Sequence, residues 1–172
     1  RFERQLAFLS DHHDHGVVGS WSEDIDAQGR SIQAPAREGQ DQPVTHEAFL
    51  AAIDTGAPLL CHPAVIYRTE VVRAVGGYHA AFRHCEDLDL WLRLATRTRI
   101  ANVPERLLRY RRSDSQVSIR FSTEQTIGSL VSRVAYHERL AGRPDPTEGL
   151  ERLPPIDALD ALFDRAGVTA AV

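Results

Sequence analysis

The chain predicts an α/β fold, and two observations carry that prediction. Short apolar runs of strand character alternate with stretches of helical periodicity, and Gly or Pro breaks separate nearly all of them. Residues 1–13 predict a helix with Phe2, Leu6 and Leu9 on one stripe. Gly16 ends it, and residues 17–21 predict a buried strand. Gln28 and Gly29 mark a turn, after which residues 30–33 predict a returning strand. Residues 34–44, with Pro35, Gly39 and Pro43, read as a polar loop. Thr45 then caps a helix that carries Ala48, Phe49, Ala52 and Ile53 and stops at Gly56.

Further along, residues 64–67 form a short apolar run bounded by Pro63 and suited to a central strand. Thr69 caps a helix over 71–75, closed by Gly76 and Gly77. A helix follows from residue 86 to about 97. Residues 100–103 and 107–111 predict two strands on either side of Pro104. Ser122 caps a long helix to residue 140, ended by Gly142 and Pro144. The stretch to Pro155 reads as a Pro-rich linker, and residues 157–166 as a terminal amphipathic helix. The expected divisions are 1–118, 119–142 and 143–172.

Composition narrows the function classes. A length of 172 residues suits about one domain with a proper core. The formal charge of −4 offers no basic footprint, which excludes nucleic acid as the expected partner. Residues 143–172 hold six acids against three Arg, so most of the excess lies there. Cys61 and Cys85 stand far apart, which implies neither a zinc site nor a disulfide framework and makes a reducing cytoplasm the simplest compartment. No apolar run approaches the ~20 residues that span a bilayer. The lack of Met and an opening inside a helix predict a piece of a longer protein.

The candidate chemistry lies around residue 86. Leu88, Trp91, Leu92 and Ala95 make one stripe, and Leu90 and Leu94 widen it until the helix is apolar on most sides and therefore buried. Asp87 shares a face with Trp91 and Leu94 and is expected to point toward packed material. Asp89 and Arg93, four apart, predict a surface ion pair. Glu86 and Asp87 in a first turn complement the helix dipole. The same placement suits a general base at the mouth of a pocket.

Gly76 and Gly77 let the chain turn sharply and bring backbone close to a ligand, and they also close the preceding helix. Tyr78, Phe82 and Trp91 suit either a stacking platform or a core, with core packing the better reading of Trp91. The cluster Asp11, His12, His13, Asp14, His15 invites a metal, but adjacent loop residues rarely converge on one ion. No helical His-x-x-x-His spacing occurs, so a solvated helix end is expected.

The run GGYHAAFRHCEDLDLWLRL, with HPAVIYR upstream and YRRSDSQVS downstream, resembles the acceptor-side half of bacterial family 2 glycosyltransferases of the GT-A fold. The resemblance covers residues 1–118. It implies part of a nucleotide-diphospho-sugar transferase fold, a mixed sheet flanked by helices, with a C-terminal helical extension. It implies an inverting enzyme of bacterial cell-envelope polysaccharide synthesis, cytoplasmic at the inner face of the membrane and peripherally associated with it. The substrates would be a nucleotide-diphosphate sugar and a glycan or lipid-linked acceptor.

Carried onto this sequence, the resemblance makes Asp87 the base, supported by Glu86. It places His62, Gly76, Gly77, Tyr78 and Trp91 at the acceptor. Tyr110, Arg111, Arg112 and Ser113 would flank the diphosphate, where a guanidinium fork suits phosphate oxygens. Ser113 stands where the family commonly has His, and serine is a poor ligand for a divalent ion. A divalent cation, Mg2+ or Mn2+, belongs to the intact enzyme and would be held by an N-terminal half that this chain lacks, with no metal held here. The family's Asp-x-Asp motif falls upstream of a segment like the opening of this chain, so Asp24-Ile25-Asp26 reads as a strand-end decoration. The isolated chain is expected to be inactive. The rival readings are a degenerate or non-catalytic acceptor-binding module and a metallohydrolase built on residues 11–15, whose metal uptake would survive Asp87→Asn.

Overall fold

In the computed structural model, which describes residues 1–32, 41–113 and 121–169, the apolar run after Gly16 is the spine of a three-stranded mixed sheet. The chain forms two compact units. One takes in residues 1–74 and 97–116, the other residues 75–96 and 117–172.

The first unit opens with helix α1 (Phe2–Asp11) and strand β1 (His15–Ile25). Val17 and Val18 point to opposite faces of the sheet and both are wholly buried, so β1 is covered on both faces there as well as paired along both edges. Strand β2 (Ile66–Tyr67) pairs antiparallel with β1, Val17 facing Tyr67 and Val18 facing Ile66. Strand β3 (Arg99–Arg111) runs parallel to β1 along its whole length. Helix α2 (His46–Ala52) and helix α3 (Thr69–Ala74) complete the described helices of this unit. Thr45 caps α2, its Oγ1 accepting from the Ala48 amide at 3.2 Å. Thr45→Ala is expected to cost about 1 kcal/mol, read as a lower urea midpoint at unchanged slope.

Four local expectations are corrected here. On α1 the buried residues are Gln5 and Leu9, whereas Phe2 and Leu6 are 62% and 56% exposed. The reason is polar: the Gln5 amide donates to the carbonyls of Val18 and Ala64, at 3.0 and 2.6 Å, and so turns that face inward. Residues 64–67 are not a central strand. His62, Pro63 and Ala64 form a 3-10 turn, and β2 is left with two residues at the sheet edge. Residues 99–111 are one strand rather than two. Pro104 is tolerated because β3 bulges there: Val103 pairs with Ser20 and Arg106 with Trp21, leaving two residues unmatched. Residues 30–32 return only as a bridge between Ser31 and Ile25, and Gln33 lies outside the described residues.

The second unit holds helix α4 (Glu86–Leu94), helix α5 (Ser122–Leu140) and the short helix α6 (Leu159–Leu162), which follows a 3-10 turn over Ile156–Ala158. Its core gathers Ala81 and Phe82, Val131 and Ala135 of α5, and Leu159, Phe163 and Val168. Leu150 and Leu153 pack against that core and Thr147 is buried, so the Pro-rich stretch is part of the unit. The terminal helix is shorter than its periodicity suggests because Asp160 draws the chain into a turn. Its carboxylate accepts from the amides of Thr169 and Gly167 at 2.7 and 3.0 Å.

Those amides hold the Asp160 carboxyl below its ordinary value. A depressed folded value means the stabilisation is complete above the ordinary carboxylate range and is lost as pH falls through the folded value. Asp160→Asn is therefore expected to be less stable at neutral pH, with the gap to the parent closing at acid pH. Denaturant unfolding across a pH series checks it.

Candidate functional site

The site builds outward from two glycines. Gly76 and Gly77 adopt φ of 80° and 72°, in the left-handed region, where a Cβ would be strained. This double turn is clamped from α4. The Arg93 guanidinium donates to the carbonyls of Val75 and Gly77, at 2.6 and 2.7 Å. The same guanidinium meets Oδ2 of Asp89 through Nε at 2.9 Å and Nη2 at 2.7 Å.

Asp89 is 0% and Arg93 6% exposed, which corrects the expected surface pair. The helix is apolar on so many sides that a pair one turn apart on it is carried inward. The backbone carbonyls of the glycine turn supply the hydrogen bonds that burial requires. The buried acid of this helix is thus Asp89, while Asp87 is only half-buried.

Glu86 and Asp87 occupy the first turn of α4, where acidic side chains complement the helix dipole. Asp87 Oδ1 accepts from the Leu88 amide at 2.8 Å. Cys85 precedes them at the N-cap position without a side-chain cap. Burial above all, and then the neighbouring Asp87 carboxylate, pushes the Cys85 thiol up to about 12, so it is no nucleophile at neutral pH. Gly128 of α5 fits against this corner: a Cβ there would lie 2.9 Å from the Cys85 Cβ. The close approach of α5 fixes where α4 begins.

Between the glycine turn and α4 the chain forms an open hollow of about 340 Å³, lined by Tyr78, His79, Phe82, Arg83, His84 and Glu86 among others. Tyr78 is 49% exposed and offers an aromatic face, while Phe82 is fully buried. His84 has φ of 68°, unusual for a residue with a Cβ. Its ring stacks on Phe121 with centroids 3.9 Å apart, and its carbonyl accepts from Gln125 at 2.9 Å. These contacts sustain the strained residue beside the hollow.

The sequence-predicted residues therefore divide. Glu86 and Tyr78 line the hollow, and Gly76 and Gly77 shape its approach. Asp87 adjoins Glu86 on the helix but is not a lining residue, and Trp91 is 5% exposed in the packed interior. His79 and the clamp of Arg93 on the glycine turn were not singled out. The signal for the second was an Asp and Arg four apart on a helix with no polar face.

The other candidates belong to the first unit. His62 is exposed in its 3-10 turn. Arg112 pairs with Asp24 at 2.8 Å and lies over the Tyr110 ring at 5.0 Å. Arg111 donates to the carbonyls of Asp26 and Ala27, at 2.8 and 2.7 Å. Ser113 is exposed, and the resemblance residues 114–118 lie outside the described residues. Asp26 closes the turn after β1, accepting from the amides of Gln28 and Arg30, both at 2.9 Å.

The divalent cation implied by the resemblance finds no donor set here. Among the described residues no three His, Cys, Asp or Glu side chains are grouped to hold an ion. The cluster at residues 11–15 is engaged locally: His12 stacks on Phe8, and His15 Nδ1 bonds to Asp14 at 2.8 Å. Among the described residues, no helix is long and apolar enough to cross a membrane.

Comparison with known proteins adds one relationship. Over 95 residues the chain is 34% identical to a Bacillus subtilis protein described as "Putative glycosyltransferase EpsE", covering 54% of this chain. The chain spans about a third of that relative, 31% of its length. No protein-family model matches. No solved structure matches. The likeness supports a glycosyltransferase relationship, and the small mixed sheet with flanking helices is consistent with part of a nucleotide-sugar transferase fold.

Proposed function

We propose that this chain is the acceptor-side part of an inverting glycosyltransferase of family 2 and the GT-A fold. The intact protein moves a sugar from a nucleotide-diphosphate donor to a hydroxyl of a glycan or lipid-linked saccharide. The observation that carries the reading is the pair Glu86 and Asp87 in the first turn of α4, with Glu86 on a hollow that also presents the Tyr78 ring. As the acceptor oxygen attacks the anomeric carbon, Asp87 takes its proton. The bond from that carbon to the diphosphate oxygen breaks, and the diphosphate leaves with the electron pair. Glu86 orients the acceptor. Tyr78 supplies a face for its ring. The buried pair Asp89 and Arg93 keeps the Gly76–Gly77 turn fixed while the acceptor enters.

The described residues hold no donor set for a metal; a divalent cation of the intact protein would be held outside them and would balance charge on the leaving diphosphate. The test is release of nucleoside diphosphate by the intact protein from a panel of nucleotide sugars, with and without saccharide acceptors. Acceptor-dependent release supports the reading, and its absence across the panel overturns it.

A non-catalytic acceptor-binding module is the second reading. It is favoured by Arg111 and Arg112, whose guanidinium groups are already engaged by the β1 end. Saccharide binding without turnover of any donor supports that alternative.

A further inference from the structure

His79 stands two residues after the glycine pair and carries three separate constraints. Its ring stacks on the buried Phe82, with centroids 6.1 Å apart and planes 20° from parallel. Its Nδ1 is buried and lies 3.3 Å from Oδ2 of Asp89, near enough for an ionic contact but not aligned as a hydrogen bond. Its side chain is 24% exposed, and the residue lines the hollow beside Tyr78 and Glu86. Since Nδ1 is buried, that exposure falls on the rest of the side chain.

Asp89 has acceptor capacity to spare. Arg93 occupies Oδ2 twice, and Oδ1 is buried with no hydrogen-bond partner among the described residues. A buried carboxylate oxygen left unpaired and a buried ring nitrogen left unpaired against the same carboxylate are both costly. A proton on Nδ1, turned onto the Asp89 carboxylate, relieves the ring. In a neutral imidazole that choice leaves Nε2 with its lone pair.

We propose that His79 is a ligand-binding residue of this hollow: Asp89 holds it as the Nδ1–H tautomer, and Nε2 accepts a hydrogen bond from a hydroxyl of a neutral sugar lying against Tyr78. Asp89 is the positioning residue. With Nε2 and the Glu86 carboxylate both accepting, the hollow selects a ligand that donates, which is the chemistry of a polyol. The ligand class rests on the transferase reading, whereas the tautomer does not.

The experiment is nitrogen–proton correlation on the chain labelled with 15N at histidine. The expected result is His79 in the Nδ1–H form, the minority tautomer of a free neutral histidine side chain. An Asp89→Asn variant that folds converts it to the Nε2–H form, because the amide then donates to Nδ1. An Nε2–H tautomer in the parent chain overturns the proposal whether or not that variant folds. Titration with a neutral methyl glucoside is expected to move the His79 Nε2 resonance in the parent, and to move the Tyr78 ring resonances of His79→Phe only at roughly three- to tenfold higher glucoside than in the parent. No shift at His79 overturns the ligand assignment.

In the intact protein, His79→Gln is expected to raise the acceptor KM roughly three- to tenfold with kcat preserved, and an unchanged KM counts against the proposal. A methyl glucoside shift at His79 in a protein that releases no nucleotide upholds this inference while removing the transferase reading.

Discussion

Asp87→Asn in the intact protein is expected to lower kcat/KM for sugar transfer on the order of 10²- to 10⁴-fold, with donor affinity unchanged. Asn keeps the size of the side chain and the acceptor oxygen that meets the Leu88 amide, so the first turn of α4 persists. What it loses is the negative charge and the proton affinity that the acceptor hydroxyl requires as its oxygen bonds to carbon. Because the deficit is in the chemical step, kcat falls and a nucleotide-sugar titration does not change.

Glu86→Gln is the paired measurement. Glu86 lines the hollow and Asp87 adjoins it, so the two carboxylates compete for one assignment. A smaller loss in Glu86→Gln keeps Asp87 as the base. A larger loss there moves the role by one residue, and full activity in Asp87→Asn removes it from Asp87 altogether.

Arg93→Met is expected to destabilise the chain by about 3–5 kcal/mol, the largest stability effect anticipated for a single change here. The substitution keeps the packed stem but strips the cation from an Asp89 carboxylate with no solvent contact. It also removes the donors of the Val75 and Gly77 carbonyls, which then lose their clamp. The double variant Asp89→Leu with Arg93→Met is expected to recover much of the loss, since no buried charge then remains uncompensated. Denaturant midpoints for the two single variants and the double variant measure that coupling. Additive losses would mean the two side chains do not act as a pair. The same cycle run on acceptor KM reports how far the glycine turn depends on the clamp.

The elements were mostly legible because their causes are local. Thr45 caps α2 through its own hydroxyl, Gly76 and Gly77 take the positive φ that their lack of a Cβ permits, and the run from Val17 is buried in the middle of the sheet. The position of Glu86 and Asp87 at a helix start was equally plain. What failed was the assignment of faces. Gln5 is buried where Phe2 and Leu6 are not, because two carbonyls distant in sequence accept from its amide. Pro104 does not break β3, because the neighbouring strand accommodates a bulge.

By itself the sequence determined the α/β class, the Thr45 cap, the glycines that close helices, and the acidic first turn of an apolar helix, whereas Thr69 and Ser122 open their helices from within instead of capping them. These follow from backbone sterics and from hydrogen bonds that close within a few residues. Only the tertiary structure decided that Asp89 and Arg93 lie inside, that they hold the glycine turn, and that His79 rather than Trp91 reaches the hollow beside Glu86. Such outcomes depend on which distant carbonyl or carboxylate meets a polar group as water leaves it, and periodicity along one helix carries no record of that partner.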